Sequence, residues 1–428
     1  MKPRYGTMFI GLSFLFCIEL FLLAKPDIGA LWQRPWMSLA QLSGLLGVVA
    51  YSITFFLSSR LGYLEYMFGG LDTVYRVHQR MGRVSFLLFS LHFVGLLVHY
   101  TNVSQMIMNL LIPSASIAYT AGILSFWSLT FILAMILFAR LEYQLFVRIQ
   151  TFFILSFLLG FIHSLFIESD ISRYLPLREY ILSFFGLGIF SFIYRQLLYS
   201  RIGPKHTYTV SCAKRSASGW IMLRLKALGK NIQYIPGQFV YIGFEGEKYK
   251  KETHPFSIVS VPEDGHVELW IKPVGDYTLE LSDVTEGDKF TVYGPYGALY
   301  EKIFGKDTVV CIAGGIGVTP FLGLLRKFAT TIPSTSFHLF YSVRTKNEVE
   351  DLNLTSLLPV SSPNMKYHER ITESQPRLSA DEILKIVNHT RKSMYLLCGP
   401  PPMMQAIKNQ LYNAGVHPRM IFYEEFQY

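Results

Sequence analysis

Three histidines lie along one stretch of a strongly apolar region. His78 and His92 are 14 residues apart, and His99 follows seven residues later. At 3.6 residues per turn these spacings put the three imidazoles on nearly one face of a helix, with about 21 Å between the first two. His163 stands in a later apolar segment, from which it can face His92. Imidazole suits iron, so two facing histidines can hold a b-type haem; hydrogen bonding between helices is the alternative, and the favoured one for His99.

The segments that carry these histidines are long and apolar enough to cross a membrane. No Asp, Glu, Lys or Arg occurs anywhere from Val84 to Ala139, or from Pro35 to Ser59. A membrane-spanning helix needs about 20 apolar residues. The sequence therefore predicts six spans, at residues 7–24, 37–58, 82–100, 118–139, 149–167 and 179–199. The first is expected to be a retained anchor, because no A-x-A cleavage site follows it.

The basic residues predict how the spans are oriented. Six spans put both ends of this half on one side, and that side holds eleven basic residues: Lys2, Arg4, Arg60, Arg76, Arg80, Arg83, Arg140, Arg148, Arg195, Arg201 and Lys205. The opposite side holds four: Lys25, Arg34, Arg173 and Arg178. The positive-inside rule then predicts cytoplasmic ends, in a multi-pass protein of the cell membrane. The net charge of +9 is thus largely topological, and we expect no nucleic-acid partner.

Composition supports a membrane protein with soluble domains. Hydrophobic residues make up 51% of the 428 residues and charged residues only 16%, against about 25% charged in a typical soluble protein. Four cysteines without a CxxC pair exclude a disulfide scaffold and a thiolate zinc or iron–sulfur site. Charged residues become frequent after about residue 203. We therefore predict a membrane domain at 1–202, a β-barrel at 203–303 and an α/β nucleotide-binding domain at 304–428.

The fold class of the last two domains follows from their apolar runs. Short β-rich runs at 238–243 and 266–271, broken by Gly and Pro, are typical of a small barrel. Further on, a strand at 309–313, a glycine turn and a helix at 320–328 come in that order, and strands follow at 336–341 and 393–398. Alternating strands and helices indicate a parallel nucleotide-binding sheet.

Three clusters in the barrel have the chemistry of a flavin site. Aromatic and imidazole groups can line the flavin ring, a serine hydroxyl can bond a ring nitrogen, and a glycine turn offers N–H groups and a hydroxyl to a pyrophosphate. The candidate cofactor-binding residues are Pro236, Gln238, His254, Pro255, Phe256, Ser257, Lys272, Gly275, Asp276, Tyr277 and Thr278. Ser257 is also a catalytic candidate, because it can tune the flavin.

Two loops after apolar strands have the chemistry of a dinucleotide site. Glycines let the backbone approach a pyrophosphate, and a helix start supplies a positive dipole. The candidates are Gly314, Gly315, Gly317, Thr319, Pro320, Arg344, Cys398, Gly399 and Pro400. The Cys398 thiol can border a nicotinamide as a catalytic residue, or simply end a strand as a buried cysteine. Arg344 can pair with a 2′-phosphate, which favours NADPH over NADH, or be a solvated arginine.

Taken together, these features resemble the NADPH oxidase and ferric reductase superfamily over essentially the whole chain. The specific motifs are Phe68–Asp72 leading to His78, His-Pro-Phe-Ser at 254–257, Gly-Gly-Ile-Gly-Val-Thr-Pro at 314–320, and Cys-Gly-Pro-Pro-Pro-Met at 398–403. The C-terminal part is also similar to ferredoxin–NADP reductases. That resemblance implies a terminal aromatic residue covering the flavin as a catalytic group, here Tyr428, with Phe426 as a stand-in.

The resemblance implies two stacked haems but supplies one ligand too few. His78 and His92 match the ligands on the third span, and His163 matches one on the fifth. The remaining ligand should stand at position 150, ahead of His163 on the same span, where this chain has Gln150. Gln150 or a neighbour replaces the imidazole in a loosened site, or this haem is absent, or the residue is a variant change. The haem count is therefore one or two.

The resemblance implies electron transfer from cytoplasmic NADPH through FAD and b-type haem to an acceptor across the membrane, either dioxygen or ferric iron. His99, Glu168 or Asp170 could assist iron reduction. No long cytoplasmic insertion suggests a docking subunit, so we expect no obligatory activating partner. Three alternatives stay open: a single-haem metal reductase, a redox- or haem-sensing membrane protein with little turnover, and electron supply to a partner protein.

Overall fold

The computed structural model describes residues 5–27, 29–139, 143–245, 252–332, 334–387 and 392–424. Contacts divide the chain into two compact units, Met1–Arg201 and Ile202–Gln427, and each is described by itself.

The first unit is helical in its described residues. Its helices are α1 (Tyr5–Leu23), α2 (Gly29–Gln33), α3 (Pro35–Ser58), α4 (Gly62–Phe68), α5 (Leu71–His99), α6 (Ser104–Leu111), α7 (Ile117–Phe138), α8 (Tyr143–Thr151), α9 (Phe153–Phe166), α10 (Asp170–Arg173), α11 (Leu175–Ile193) and α12 (Tyr199–Ile202). A π-helical turn, Tyr194–Leu198, joins the last two.

Within the described residues, six helical segments are long and apolar enough to cross a membrane, which confirms the predicted count. The ends differ from the prediction. The third span begins at Thr73 rather than residue 82, because the segment containing Arg76 and Arg80 continues the same helix. The sixth begins at Leu175 and ends at Ile202. The chain is therefore an integral membrane protein.

Small residues let the helices of the bundle approach closely. A Cβ built on Gly95 of α5 would lie 3.0 Å from Ala40 Cβ on α3. Between α7 and α9, the Ser125 hydroxyl donates to the Ser156 carbonyl at 2.8 Å, and the Ser156 hydroxyl donates to the Ser125 carbonyl at 2.9 Å. Small residues and hydroxyls that bond to neighbouring helices are typical of membrane bundles.

The second unit begins with an antiparallel barrel, as predicted. Its strands are β1 (Lys205–Arg215), β2 (Ile221–Ala227), β3 (Phe239–Phe244), β4 (His254–Ser257), β5 (Val267–Ile271) and β6 (Lys289–Tyr296), with a short helix α13 (Asp276–Glu280) after β5. The sheet order is β4-β3-β6-β1-β2-β5, and an isolated bridge between Ile258 and Leu269 brings the two edges together.

A parallel sheet follows, with the order β11-β10-β7-β8-β9. Its elements are β7 (Thr308–Gly314), α14 (Thr319–Thr331), β8 (Ser336–Val343), α15 (Lys346–Leu352), α16 (Leu354–Leu357), β9 (Met365–Ile371), α17 (Ala380–Ile386), β10 (Ser393–Cys398), α18 (Pro401–Asn413) and β11 (Ile421–Glu424). The predicted strands and helix are confirmed with small shifts at their ends. Every residue of β7 and β10 is buried, as expected of a sheet covered on both faces.

The barrel and the parallel sheet share one hydrophobic core. Trp220 and Trp270 of the barrel belong to the same buried cluster as Phe321 of α14. At the rim, Asp351 accepts a hydrogen bond from the Ser218 backbone N–H at 2.5 Å. These contacts fix the barrel relative to the sheet.

Candidate functional site

The imidazoles of His92 and His163 face each other inside the helical bundle. Their ring centroids are 6.3 Å apart and the ring planes cross at 73°. Two imidazole nitrogens bound to one metal ion, each about 2 Å from it, put the ring centroids about 6 Å apart. The spacing of the two rings therefore fits a single metal ion between them.

A backbone carbonyl fixes the second nitrogen of each ring. His92 Nδ1 lies 2.7 Å from the Ala40 carbonyl oxygen, and His163 Nδ1 lies 2.8 Å from the Ala118 carbonyl oxygen. A carbonyl can only accept, so Nδ1 carries the proton in both rings. The lone pair is then on Nε2, which is the arrangement that orients a histidine as a metal ligand.

Two glycines make room for these rings. A Cβ built on Gly44 would lie 2.8 Å from His92 Nδ1, and one built on Gly122 would lie 2.8 Å from His163 Nδ1. Each glycine stands one helical turn after the carbonyl that its histidine bonds. The two halves of the site therefore share one design, in which carbonyl, glycine and imidazole pack together.

The two histidines line a cavity of about 230 Å³. Most of its wall is apolar and aromatic, with rings from α3, α5, α7 and α9; these include Tyr51, Phe89, Phe126 and Phe157. A concave apolar site with few convergent polar groups is typical of a cofactor pocket. The donor set, the glycine cradles and the apolar wall all fit a haem that the two histidines would hold.

His78 is held in the same way as the other two histidines, but the ligand predicted for a second haem is not beside it. Its Nδ1 lies 2.8 Å from the Thr54 carbonyl oxygen, so the ring is held like theirs. Gln150, the predicted position of the missing ligand, has an exposed side chain, whereas its neighbour Ile149 is buried. The structure does not bring Gln150 to the interior face that carries His163.

At one end of the cavity a half-buried ion pair joins three segments. Lys25 Nζ lies 2.5 Å from Asp170 Oδ2 and 2.8 Å from Gln41 Oε1, and Asp170 and Glu168 line the cavity. The sequence suggested Glu168, Asp170 and His99 as iron ligands. Among the residues that the structure describes, no three His, Cys, Asp or Glu side chains are grouped to hold a metal ion.

In the barrel, two of the predicted flavin clusters meet. The rings of His254 and Tyr277 stack with centroids 4.0 Å apart, which brings the start of β4 against α13. His254 Nε2 lies 2.9 Å from Glu252 Oε2. Sequence reasoning missed Glu252, although a carboxylate two residues before the histidine is visible in the sequence. Half-buried His254, Pro255 and Phe256 therefore present a surface with the chemistry of a flavin site.

Tyr277 supports this surface from inside the barrel. Its side chain is 1% exposed, and its hydroxyl donates to the Ile242 carbonyl at 3.2 Å. Burial, followed by the charges of Glu252 and Glu280, raises the pKa of Tyr277 above its ordinary value, so the hydroxyl stays protonated. Tyr277 thus holds His254 in place rather than presenting its own side chain to a ligand.

The turn at Gly275–Thr278 uses its own polar groups. The Thr278 hydroxyl accepts from the backbone N–H groups of Val274 and Gly275 at 2.9 and 3.0 Å, and the Tyr277 N–H is bonded to the Asp276 carboxylate. The sequence predicted that these groups are free for a pyrophosphate. In the structure, the N–H groups of Val274, Gly275 and Tyr277 are bonded within the turn, through Asx- and Thr-type hydrogen bonds.

The predicted flavin cluster at Pro236 and Gln238 also stabilises the barrel. The Gln238 amide accepts from the Ile235 N–H at 2.8 Å and donates to the Gly297 carbonyl at 3.0 Å. Pro236 is buried beside it, and Ser257, at the end of β4, is 6% exposed. These residues shape the wall of the barrel next to His254.

The two predicted dinucleotide loops pack directly against each other. A Cβ built on Gly317 would lie 2.3 Å from the Cys398 carbonyl oxygen, and one built on Gly399 would lie 2.9 Å from the Gly314 nitrogen. Both loops follow neighbouring parallel strands, β7 and β10. The carboxyl edge of such a sheet is where nucleotides bind.

The other dinucleotide candidates lie around this edge. Thr319 and Pro320 begin α14, and the Thr319 hydroxyl donates to the Ile316 carbonyl at 3.0 Å. Arg344 follows β8 and is exposed, 3.8 Å from Glu373. Gly315 is half-buried with φ +52°, Pro400 is exposed, and Cys398 is 3% exposed.

Lys272, in the flavin set, lies 3.4 Å from Glu348 of α15, so it connects the barrel to the nucleotide-binding domain. Tyr428 and Phe426 lie outside the described residues.

Three family models match consecutive parts of the chain. The ferric reductase like transmembrane component matches residues 43–161, the FAD-binding domain matches 207–300, and the oxidoreductase NAD-binding domain matches 311–409.

Similar proteins include two curated relatives. The electron transfer component of toluate 1,2-dioxygenase from Pseudomonas putida is 26% identical over 227 residues, 51% of this chain and 66% of that protein. The heavy chain of a superoxide-generating NADPH oxidase from Dictyostelium discoideum is 28% identical over 213 residues, 43% of this chain and 40% of that protein. The chain thus spans less than two thirds of the second relative and just under two thirds of the first.

Among solved structures, the flavohemoglobin from Malassezia yamatoensis, with bound FAD and haem, is similar in fold. It is 17% identical, with a TM-score of 0.50, and the match covers 82% of this chain and 97% of that one. At this identity the likeness concerns the fold alone.

Proposed function

Because the chain is an oxidoreductase of the ferric reductase and NADPH oxidase family, we propose that it transfers electrons from NADPH through FAD and a b-type haem to dioxygen across the membrane. The observation that carries the proposal is the pair of facing imidazoles, 6.3 Å apart, each oriented by a backbone carbonyl. When bound, NADPH supplies a hydride, FAD divides the electron pair, and haem takes one electron at a time.

In the bundle, the protein's part is to orient and to exclude water. His92 and His163 would hold the haem iron through Nε2, while Ala40 and Ala118 keep the proton on Nδ1. The apolar wall lowers the local dielectric constant and limits the access of solvent to the site.

In the soluble unit, the backbone would bind the phosphates. Gly314, Gly315 and Gly317 leave room for a pyrophosphate at the edge of the sheet, and Thr319 and Pro320 begin the helix behind them. Arg344, exposed after the end of β8, would pair with a 2′-phosphate, and its exposure supports NADPH over NADH. Cys398 would border the nicotinamide from the neighbouring strand.

The barrel would hold the flavin. His254, Pro255 and Phe256 would contact it, Ser257 would bond a ring nitrogen, and Tyr277 would keep His254 in position. We also propose that Tyr428 stacks on the flavin and yields to the nicotinamide.

Dioxygen is the proposed acceptor for two reasons. One relative, the Dictyostelium discoideum protein, is named as superoxide-generating. In addition, Asp170, one of the carboxylates suggested as an iron ligand, already forms an ion pair with Lys25. The excess of basic residues on one side of the spans supports a cell-membrane protein with a cytoplasmic dehydrogenase half.

The test uses the full chain purified in detergent with FAD. We expect NADPH oxidation with cytochrome c reduction that superoxide dismutase inhibits, and we expect it without a second polypeptide. His163→Gln should abolish superoxide production, whereas His99→Gln, a histidine at the end of α5, should not.

Other results would contradict the proposal in distinct ways. Faster reduction of a ferric chelate, insensitive to the dismutase, would identify a metal reductase. Absence of NADPH consumption would support a sensor, and activity only after a second polypeptide is added would support an activating subunit or an electron-accepting partner.

A further inference from the structure

We propose that the bundle holds one haem, between His92 and His163, and that His78 ties α3 to α5 instead of binding a second haem. This inference rests on the function proposed above. It starts from the fact that three imidazoles in the bundle are bonded to main-chain carbonyls, while only two of them face each other.

On the α3–α5 side, the arrangement of ring and carbonyl is repeated. His92 bonds the Ala40 carbonyl, and His78 bonds the Thr54 carbonyl. The number of residues from Ala40 forward to Thr54 on α3 equals the number from His92 back to His78 on α5. Each step is close to four helical turns, about 21 Å, which preserves the face. This side alone would allow a second site.

On the α7–α9 side, the repeat fails at the imidazole position and at the glycine position. The same step back from His163 reaches Ile149, which is 8% exposed. The same step forward from Ala118 and Gly122 reaches Ile132 and Ile136. The imidazole and its glycine are therefore replaced by two branched apolar side chains, Ile149 and Ile136, neither of which can ligate iron.

The cradle on α3 is missing as well. The position that corresponds to Gly44 in the repeat is Ser58, which carries a Cβ and donates to the Phe55 carbonyl at 2.8 Å. At the His92–His163 site, a Cβ at the corresponding position would lie 2.8 Å from the ring nitrogen.

Gln150 cannot substitute from where it lies. Its side chain is exposed, and the helix is interrupted just after it, because α8 ends at Thr151 and α9 begins at Phe153. The Phe152 N–H bonds the Ile149 carbonyl at 3.0 Å, in a tighter turn than an α-helix.

Direct contact between α3 and α9 closes the space between the two levels. The Tyr51 hydroxyl donates to the Phe153 carbonyl at 3.0 Å. The Tyr51 and Phe157 ring centroids are 5.3 Å apart, and those of Phe55 and Phe157 are 4.8 Å apart. Tyr51 is one turn from Thr54 and Phe153 is one turn from Ile149, so the contact lies next to the position that a second haem would need.

The experiment counts haem in the full chain purified with FAD. Pyridine haemochrome gives haem per chain, FAD per chain normalises for folded protein, and an optical redox titration gives the number of haem transitions. We expect one haem and a single one-electron transition. His78→Gln should keep both values, His163→Gln should lose the haem, and His99→Gln serves as the matched histidine control.

The outcomes separate this inference from the proposed function. Two haems, or two transitions of which His78→Gln removes one, would overturn the single-haem proposal and leave the proposed function standing. Absence of haem in a wild-type chain that retains FAD would overturn both. The wild-type haem count decides the question even if the His78 variant fails to fold.

Discussion

The helical bundle and the soluble unit build their sites from different parts of the chain. In the bundle, the groups that would meet the cofactor are two side chains, His92 and His163, and the backbone only orients them. In the soluble unit, the backbone makes the dinucleotide site through Gly314, Gly317 and Gly399. Loss of a single histidine should therefore abolish cofactor binding in the bundle, whereas a single substitution in the dinucleotide loops should only weaken nucleotide binding.

His92→Ala should show the largest effect. Removal of this imidazole should abolish haem binding, because Ala supplies no iron ligand opposite His163. NADPH-dependent reduction of ferricyanide, which needs only the soluble unit, should persist. Haem content and ferricyanide reduction are measured on the same preparation, with His99→Ala as the control. Loss of ferricyanide reduction together with the loss of haem would show that the two units do not function separately.

Gly122→Ala should weaken haem binding without removing a ligand. The new Cβ would lie 2.8 Å from His163 Nδ1 and would push the ring away from the Ala118 carbonyl. Loss of such an orienting contact typically lowers metal affinity by about 10–100-fold. Haem titration and the absorption spectrum measure the change, and Gly186→Ala, where a Cβ meets nothing within 4 Å, is the control. An unchanged spectrum and affinity would contradict the cradle.

Gly317→Ala tests the backbone site. A Cβ 2.3 Å from the Cys398 carbonyl must separate the two loops, and overpacking of this kind costs about 1–3 kcal/mol. We expect the KM for NADPH to rise by roughly tenfold or more, with FAD and haem content unchanged. Gly229→Ala, which has open space around it, is the matched control. A normal KM in the Gly317 variant would mean that the contact between the loops does not shape the site.

Glu252→Gln should show the smallest effect. The carboxylate accepts from His254, which remains stacked on Tyr277 in the variant, so only part of its positioning is lost. A hydrogen bond worth about 1 kcal/mol predicts roughly fivefold weaker FAD binding. Flavin fluorescence quenching measures the affinity, with Glu263→Gln as a surface control. A larger loss that also lowers thermal stability would instead indicate a role in folding.

Sequence alone predicted the spans and strands, because composition and periodicity report burial directly. It predicted the start of the third span less well, because Arg76 and Arg80 interrupt the apolar pattern, although more than two helical turns that include them belong to the same helix. The haem ligands could be proposed from spacing. Their carbonyl partners could not, because which carbonyl lies beside a ring depends on how the helices pack.

The predicted flavin residues show a second limit. Residue types indicated that Tyr277 and Thr278 could contact a ligand, but the same hydroxyls and rings also stabilise turns and cores. Tyr277 is buried under His254, and Thr278 bonds its own turn. A sequence pattern gives the chemistry available at a position, and only the fold shows whether that chemistry is already in use.

The close approach of the two dinucleotide loops has a consequence for engineering the protein. Gly317 touches the Cys398 carbonyl, and Gly399 touches the Gly314 nitrogen. The shape of each loop is therefore complementary to the shape of the other. A loop grafted alone from another reductase, for instance to exchange one nicotinamide cofactor for the other, would meet a partner of the wrong shape. The loops after β7 and β10 should therefore be transplanted together, as a single cassette.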